Sequence, residues 1–195
     1  MIRLGLTGSI GMGKSATAAH FAAHGDAVID ADALVHRLYA GAAAPLIEAA
    51  FPGTTREGVV DRPALRARVL NDDTALKRLE AIVHPLVRAE EARAADRAAA
   101  EGRRIAVFDI PLLLETGRAA DFRAVVVVHA PADVQRARLL ARPGMTEETL
   151  AAILARQMPS DDKVARAHFV VDTAHGHAHA RATVAAIRRA LFAIG

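Results

Sequence analysis

The segment Gly8-Ser9-Ile10-Gly11-Met12-Gly13-Lys14-Ser15 restricts the folds open to this chain more than any other. It satisfies G-x-x-x-x-G-K-[ST], the phosphate-binding loop pattern, at every required position. With 13 Gly among 195 residues and lysine only at Lys14, Lys77 and Lys163, chance supplies on the order of 0.001 such matches. Glycines let the main chain reach φ > 0 and approach phosphates closely. Successive N–H groups and the start of the following helix then face anionic oxygens. Gly8, Ser9, Ile10, Gly11, Met12, Gly13, Lys14, Ser15 and Ala16 are therefore the candidate ligands of a triphosphate. Lys14 supplies a point charge for the β- and γ-phosphates, and the Ser15 hydroxyl is a candidate Mg²⁺ ligand. The pattern demands a strand before the loop and a helix after it. Arg3-Leu4-Gly5-Leu6-Thr7 reads as a buried strand, and Ala16, Ala19, Phe21 and Ala22 offer a helix packing residues.

Other apolar runs extend this into a sheet. Ile2–Thr7, 27–29, 105–108, Ala124–His129 and 168–171 read as five buried parallel strands, continuous rather than alternating in hydrophobicity. Helical segments between them predict an α/β architecture: a five-stranded parallel sheet flanked by helices. About 75 residues separate the second run from the third, far more than one crossover helix needs. The excess reads as helical, with breaks at Gly41, Pro52-Gly53, Gly58, Pro63 and Pro85. Ala64, Leu65, Val69 and Leu70 form one apolar face, and Leu76, Leu79, Ile82 and Val83 another. This predicts a core of 1–32, 104–135 and 157–195, a helical substrate-binding insertion over 33–103, and a lid over 136–156. In the lid, Pro143-Gly144 breaks the helix, Thr146 caps the next one, and Glu147 and Glu148 complement its dipole.

Composition removes several classes of function. There is no Cys, which excludes a disulfide framework, a Cys-ligated zinc site and a thiol nucleophile. No apolar run approaches the ~20 residues of a membrane span, and the amino terminus leads directly into a strand. The net charge of +3 comes from scattered arginines, without Trp and with one Tyr, which argues against a nucleic-acid module. The expectation is a cytoplasmic enzyme acting on small molecules, with no membrane, nucleic-acid or obligate protein partner.

Several residues are placed for chemistry. Asp30 and Asp32 follow the second strand, at the sheet edge where open α/β folds bind ligands. Either could accept a proton from an attacking hydroxyl, and Asp30 equally suits a helix N-cap. Asp109 follows the third strand, a common place for a carboxylate near a metal. Arg138 and Arg142, four apart, would share a helix face and could close over a triphosphate. His84, beside Pro85, suits either a ligand contact or a cap. His175, His177 and His179 lack an interleaved carboxylate and read as a solvated helix start rather than a metal site.

Together, Gly5-Leu6-Thr7 leading into the loop, Ile29-Asp30-Ala31-Asp32, His84-Pro85, Pro111-Leu112-Leu113-Leu114-Glu115, Arg138, Arg142, Gln157 and Lys163 resemble the dephospho-CoA kinase family over nearly the whole chain. The resemblance implies a three-part P-loop kinase that moves the ATP γ-phosphoryl group to the 3′-hydroxyl of dephospho-CoA, with Mg²⁺. It implies that Asp32 is the general base, that Lys14 and Ser15 serve phosphate and Mg²⁺, and that Arg142 and Arg138 are lid arginines beside ATP. It places Asp32, His84, Pro111, Leu112 and Glu115 on the substrate side, and Ser15 and Asp109 at the metal. Two departures stand out. Ala16 replaces a usual Thr, and Val171-Asp172-Thr173-Ala174 replaces an Asn-containing turn. The alternative is another P-loop nucleoside or nucleotide kinase. A GTPase-like switch is disfavoured, since Asn-Lys-x-Asp and a strand-following Asp-x-x-Gly are both missing.

Overall fold

The computed structural model describes residues 1–70, 72–155 and 157–193. Five strands form one sheet: β1 (Ile2–Thr7), β2 (Ala27–Asp30), β5 (Ile105–Asp109), β6 (Ala124–His129) and β7 (Phe169–Asp172). Their order is β2-β5-β1-β6-β7, with parallel registers such as Leu4 beside Val107 and Leu6 beside Val126. β1 is central: the chain builds β2 and β5 on one side of it, then crosses to build β6 and β7 on the other. That reversal makes its carboxyl end a topological switch point, where such sheets bind ligands.

The inner strands β5, β1 and β6 are largely buried, whereas the edge strands β2 and β7 expose Val28 and Val170. Leu4, Leu6, Val107, Val126, Val128 and Val171 form one core with Phe21 and with Ala180, Val184, Ile187 and Leu191 of the last helix, α9 (Gly176–Ala193). Burying a side chain such as Phe21 contributes about 1.5–3 kcal/mol. The first helix, α1 (Lys14–Ala23), turns Thr17, Ala18 and Phe21 inward. Ala19 and Ala22, expected to pack, face solvent instead, because Phe21 sets the buried side of the helix. Arg188 of α9 clamps Asp26, Nε to Oδ2 at 2.7 Å and Nη2 to Oδ1 at 3.1 Å, fixing the turn before β2.

The chain divides into two compact units, Met1–Ile29 with the chain from Ala98 on, and Asp30–Arg97. The second unit contains α2 (Ala31–Tyr39), α3 (Ala44–Ala50), a hairpin of β3 (Thr55–Arg56) and β4 (Val59–Val60), α4 (Arg62–Val69) and most of α5 (Asp73–Ala100). Leu38, Ile47, Phe51, Leu65, Leu79, Val83 and Val87 form its core. The hairpin turns through Glu57 and Gly58, both at positive φ, which suits a two-residue loop. The Glu48 carboxylate accepts the N–H groups of Gly53 at 2.7 Å and Thr55 at 2.9 Å. These bonds, Gly53 foremost, hold its pKa below the ordinary carboxylate value.

Three expectations for this region are corrected. Pro85 does not break a helix: α5 runs through it for 28 residues. Proline removes one N–H and crowds the preceding turn, yet Leu79, Val83 and Val87 keep one buried stripe across it. His84 is therefore in mid-helix and exposed, which removes its capping role. Leu70 and Leu76, assigned to apolar faces, are 43% and 41% exposed.

Candidate active site

β1 delivers the loop to the centre of the sheet edge, and α1 begins at Lys14. Gly8 is required by close approach: a Cβ there would stand 2.6 Å from the Val128 carbonyl oxygen. Gly13 ends the loop in the left-handed region, φ 90°. No side chain caps α1, and no acidic residue lies in its first turn. The first N–H groups of a helix need partners, and its dipole favours an anion. An uncapped helix start behind a glycine loop is thus a ready phosphate cradle.

The loop is also held from outside. Met12 is buried, its Sδ taking the Ala130 N–H at 3.1 Å. The Met12 carbonyl accepts the Thr173 hydroxyl at 2.7 Å. Ile10 is held at both polar atoms: Gln135 Nε2 donates to its carbonyl at 2.7 Å, and Gln157 Oε1 accepts its N–H at 3.2 Å. Lys14 extends to Asp109 at the carboxyl end of β5 and forms an ion pair with it. Asp109 is buried and Ser15 is exposed, so a charged carboxylate and a free-standing hydroxyl flank the lysine.

The segment after β5 is pinned beside this loop. Ile110 N–H bonds to Leu6 O at 2.9 Å, and the Thr7 hydroxyl donates to Pro111 O at 2.9 Å. Leu113 and Leu114 are buried and Leu112 is exposed. Glu115 turns inward. Its Oε1 accepts the Met158 N–H at 3.0 Å and lies 2.8 Å from Nζ of the fully buried Lys163. Burial alone would raise the Glu115 pKa; Lys163 and two backbone N–H groups outweigh it and hold the value low.

A cavity of about 380 Å³ opens beside the loop, lined by Gly13, Thr17, His20, Arg142, Thr173 and His177 among others. That volume suits a small organic ligand. Arg138 also borders it, donating to Thr173 Oγ1 at 2.8 Å and Thr173 O at 2.7 Å. The turn that departs from the family pattern therefore ties the α6 helix (Ala132–Leu140) to the phosphate loop through one threonine. Arg142 is not on that helix as expected: α6 is capped at Ala141 ahead of Pro143-Gly144, and Arg142 lies beyond the cap. The two arginines nevertheless border the same cavity. Thr146 caps α7 (Glu147–Leu154), its hydroxyl accepting the Thr149 N–H at 3.2 Å. Arg136 pairs with Glu147 between the two helices. Arg156, the end of the expected lid, lies outside the described residues.

Thr17 and His20 were not singled out in the sequence, while Thr173 stood out only as part of a departing turn and His177 only as part of a solvated helix start. The helical spacing Gly13, Thr17, His20 was the available signal for the α1 side. The rings of His20 and His177 meet edge to face at 5.7 Å. Burial, followed by the nearby His177, Arg181 and His24, lowers the His20 pKa and favours its neutral form. In the second unit, the Asp30 carboxylate accepts the Ala33 N–H at 3.0 Å and caps α2. Asp32 follows in the first turn of that helix and is exposed. The capping alternative thus belongs to Asp30, leaving Asp32 as the available carboxylate.

A model of the dephospho-CoA kinase family matches residues 2–178. The dephospho-CoA kinase of Mesorhizobium japonicum is 62% identical over 187 residues, covering 96% of this chain and 95% of the relative. Among solved structures, TT1252 from Thermus thermophilus superposes with a TM-score of 0.87 at 32% identity, covering 100% of this chain and 98% of that one. A dephospho-CoA kinase from Campylobacter jejuni, at 24% identity, shares the fold with a TM-score of 0.64 over 96% of this chain and 95% of its own. With the phosphate loop, its lysine and the neighbouring cavity in place, this chain belongs to the dephospho-CoA kinase family, ATP-dependent transferases acting on an alcohol group.

Proposed function

We propose that this chain transfers the γ-phosphoryl group of ATP in line to the 3′-hydroxyl of dephospho-CoA, releasing ADP and coenzyme A. The observation that carries the ATP side is the uncapped α1 start behind Gly13, with Lys14 at its first position. Phosphoryl transfer asks little covalent chemistry of a protein, so positioning and charge stabilisation do most of the work. Lys14 exchanges the Asp109 carboxylate for phosphate oxygens when nucleotide binds, and Arg142 meets the charge that spreads over the transferring group. Arg138 orders the cavity through Thr173. The purine lies in the cavity beside His20 and His177.

On the acceptor side, Asp32 takes the hydroxyl proton, and its exposed place at the start of α2 leaves it accessible to a substrate. The insertion, with His84 on the exposed face of α5, receives the rest of dephospho-CoA. Pro111 and Leu112 contribute the neighbouring wall, while Glu115 acts from behind as a support. Ser15 Oγ and the Asp109 carboxylate are hard oxygen donors and fit Mg²⁺. When bound, that ion offsets charge on the β- and γ-phosphates. No helix among the described residues is long and apolar enough to cross a membrane.

The test is an acceptor comparison with purified protein and Mg²⁺–ATP: dephospho-CoA against AMP, CMP and adenosine. ADP release that depends on dephospho-CoA supports the reading. Release with a nucleoside or nucleoside monophosphate, and none with dephospho-CoA, overturns it.

A further inference from the structure

Both ends of the excursion between Gln135 and Gln157 are fastened to one residue of the phosphate loop. Gln135 precedes it and donates from Nε2 to the Ile10 carbonyl at 2.7 Å; Gln157 follows it and accepts the Ile10 N–H at 3.2 Å. The peptide fixes the direction of each amide, because a carbonyl can meet only a donor and an N–H only an acceptor. Two residues 125 and 147 positions from Ile10 thus converge on the main chain of one residue, holding the two peptide units that flank its Cα. Gln135 is buried, so its carboxamide would stand unsatisfied without that carbonyl.

The far end is also braced. Next to Gln157, the Met158 N–H is held by Glu115, itself paired with the wholly buried Lys163. Arg136, the first residue inside the excursion, reaches Glu147 across it. Both ends of the excursion are therefore tied to Ile10, which lies three residues before Gly13, the N-cap of α1. With its N–H and its carbonyl both engaged by protein, the Ile10 main chain anchors the loop rather than binding phosphate.

We infer that Gln135 and Gln157 are positioning residues that couple closure of the excursion to the geometry of the phosphate loop, so that the γ-phosphoryl group is aligned only when water is shut out. This rests on the excursion acting as a lid in the kinase proposed above. A closing lid limits transfer to water, so loosening the clamp raises hydrolysis relative to transfer.

The experiment compares the full chain with Gln135→Met, Gln157→Met and the double variant, which keep side-chain length and remove the amide. Three quantities are read: melting temperature, the KM for ATP against kcat, and inorganic phosphate released per coenzyme A formed. Losing one hydrogen bond should shift the hydrolysis ratio and the ATP KM about three- to tenfold. The double variant should fall well short of the product of the singles, because both act through the main chain of one residue. Folded single variants with parental KM and parental coupling overturn the inference, as do variants that change only the melting temperature, or a fully multiplicative double. Gln157 is only half-buried, so Gln157→Met decides the matter if the buried Gln135→Met does not fold. If the parent chain fails to phosphorylate dephospho-CoA, the acceptor reading falls. The variants' ATP affinity and ATP hydrolysis then still decide the clamp.

Discussion

Replacing Lys163 by Met tests what the Glu115 carboxylate contributes from behind the site. Lys163 is fully buried and its ammonium lies 2.8 Å from Glu115 Oε1. Removing one member of a buried pair leaves the other charge uncompensated and costs about 3–5 kcal/mol. The Glu115 side chain is 18% exposed, so water reaches it and the low end, about 3 kcal/mol, is expected. For a chain of this length that corresponds to a melting temperature lower by about 6–12 °C. Adding Glu115→Gln to Lys163→Met removes the stranded charge and should recover part of the loss. The pH dependence carries the sign. In the parent, Glu115 has a folded pKa below its ordinary 4.5, so its contribution is present above that pH and disappears as pH falls through the folded value. In Lys163→Met, burial is opposed only by the two backbone N–H groups, so the Glu115 pKa rises from its parental value. The penalty is then full near neutrality and is relieved on acidification. Thermal melts followed by circular dichroism from pH 7 to pH 4.5 should show the gap between parent and variant narrowing. A variant melting within about 2 °C of the parent at pH 7 would sink the argument, as would a gap that widens in acid.

Other outcomes follow from the same geometry. Lys14→Met removes the charge at the mouth of the cradle and should lower kcat by about 10²–10³-fold; near-parental turnover would remove Lys14 from the chemistry. Asp32→Asn should slow single-turnover transfer by about 10²–10⁴-fold with little change in ATP binding, and a normal rate would end its assignment as base. Thr173→Val deprives the Met12 carbonyl of its donor at 2.7 Å. It should cost about 1–3 kcal/mol in urea unfolding and raise the KM for ATP. Thr173→Ser should restore both, and parental behaviour of the valine variant would show that the link is idle.

The five-stranded sheet was legible because buried parallel strands are continuous apolar runs, and all five of its strands overlap such runs, whereas the short β3–β4 hairpin fell in a region read as helical. The phosphate loop was legible because its function is carried by adjacent backbone groups. Helix ends were less so. Pro85 looks like a stop in one dimension, but packing of Leu79, Val83 and Val87 carries α5 through it. Arg142 looks helical by its spacing from Arg138, whereas Pro143-Gly144 ends α6 before it. Asp30 and Asp32 were equivalent by position until the Asp30 contact with Ala33 separated them. The cavity wall was illegible for a different reason. His20, Thr173 and His177 come from distant parts of the chain, and only the fold brings them together. The clamp on Ile10 was hidden in the same way: nothing near Gln135 or Gln157 indicates a shared partner.

The central claim is that the cradle at Lys14 sends a phosphoryl group to the ribose of dephospho-CoA. Labelling ATP at the γ-phosphorus and following the label tests it most directly. The account predicts label in coenzyme A, on the 3′-oxygen, with little in inorganic phosphate while dephospho-CoA is present. Label that appears only in inorganic phosphate, or on a different acceptor position, would contradict it.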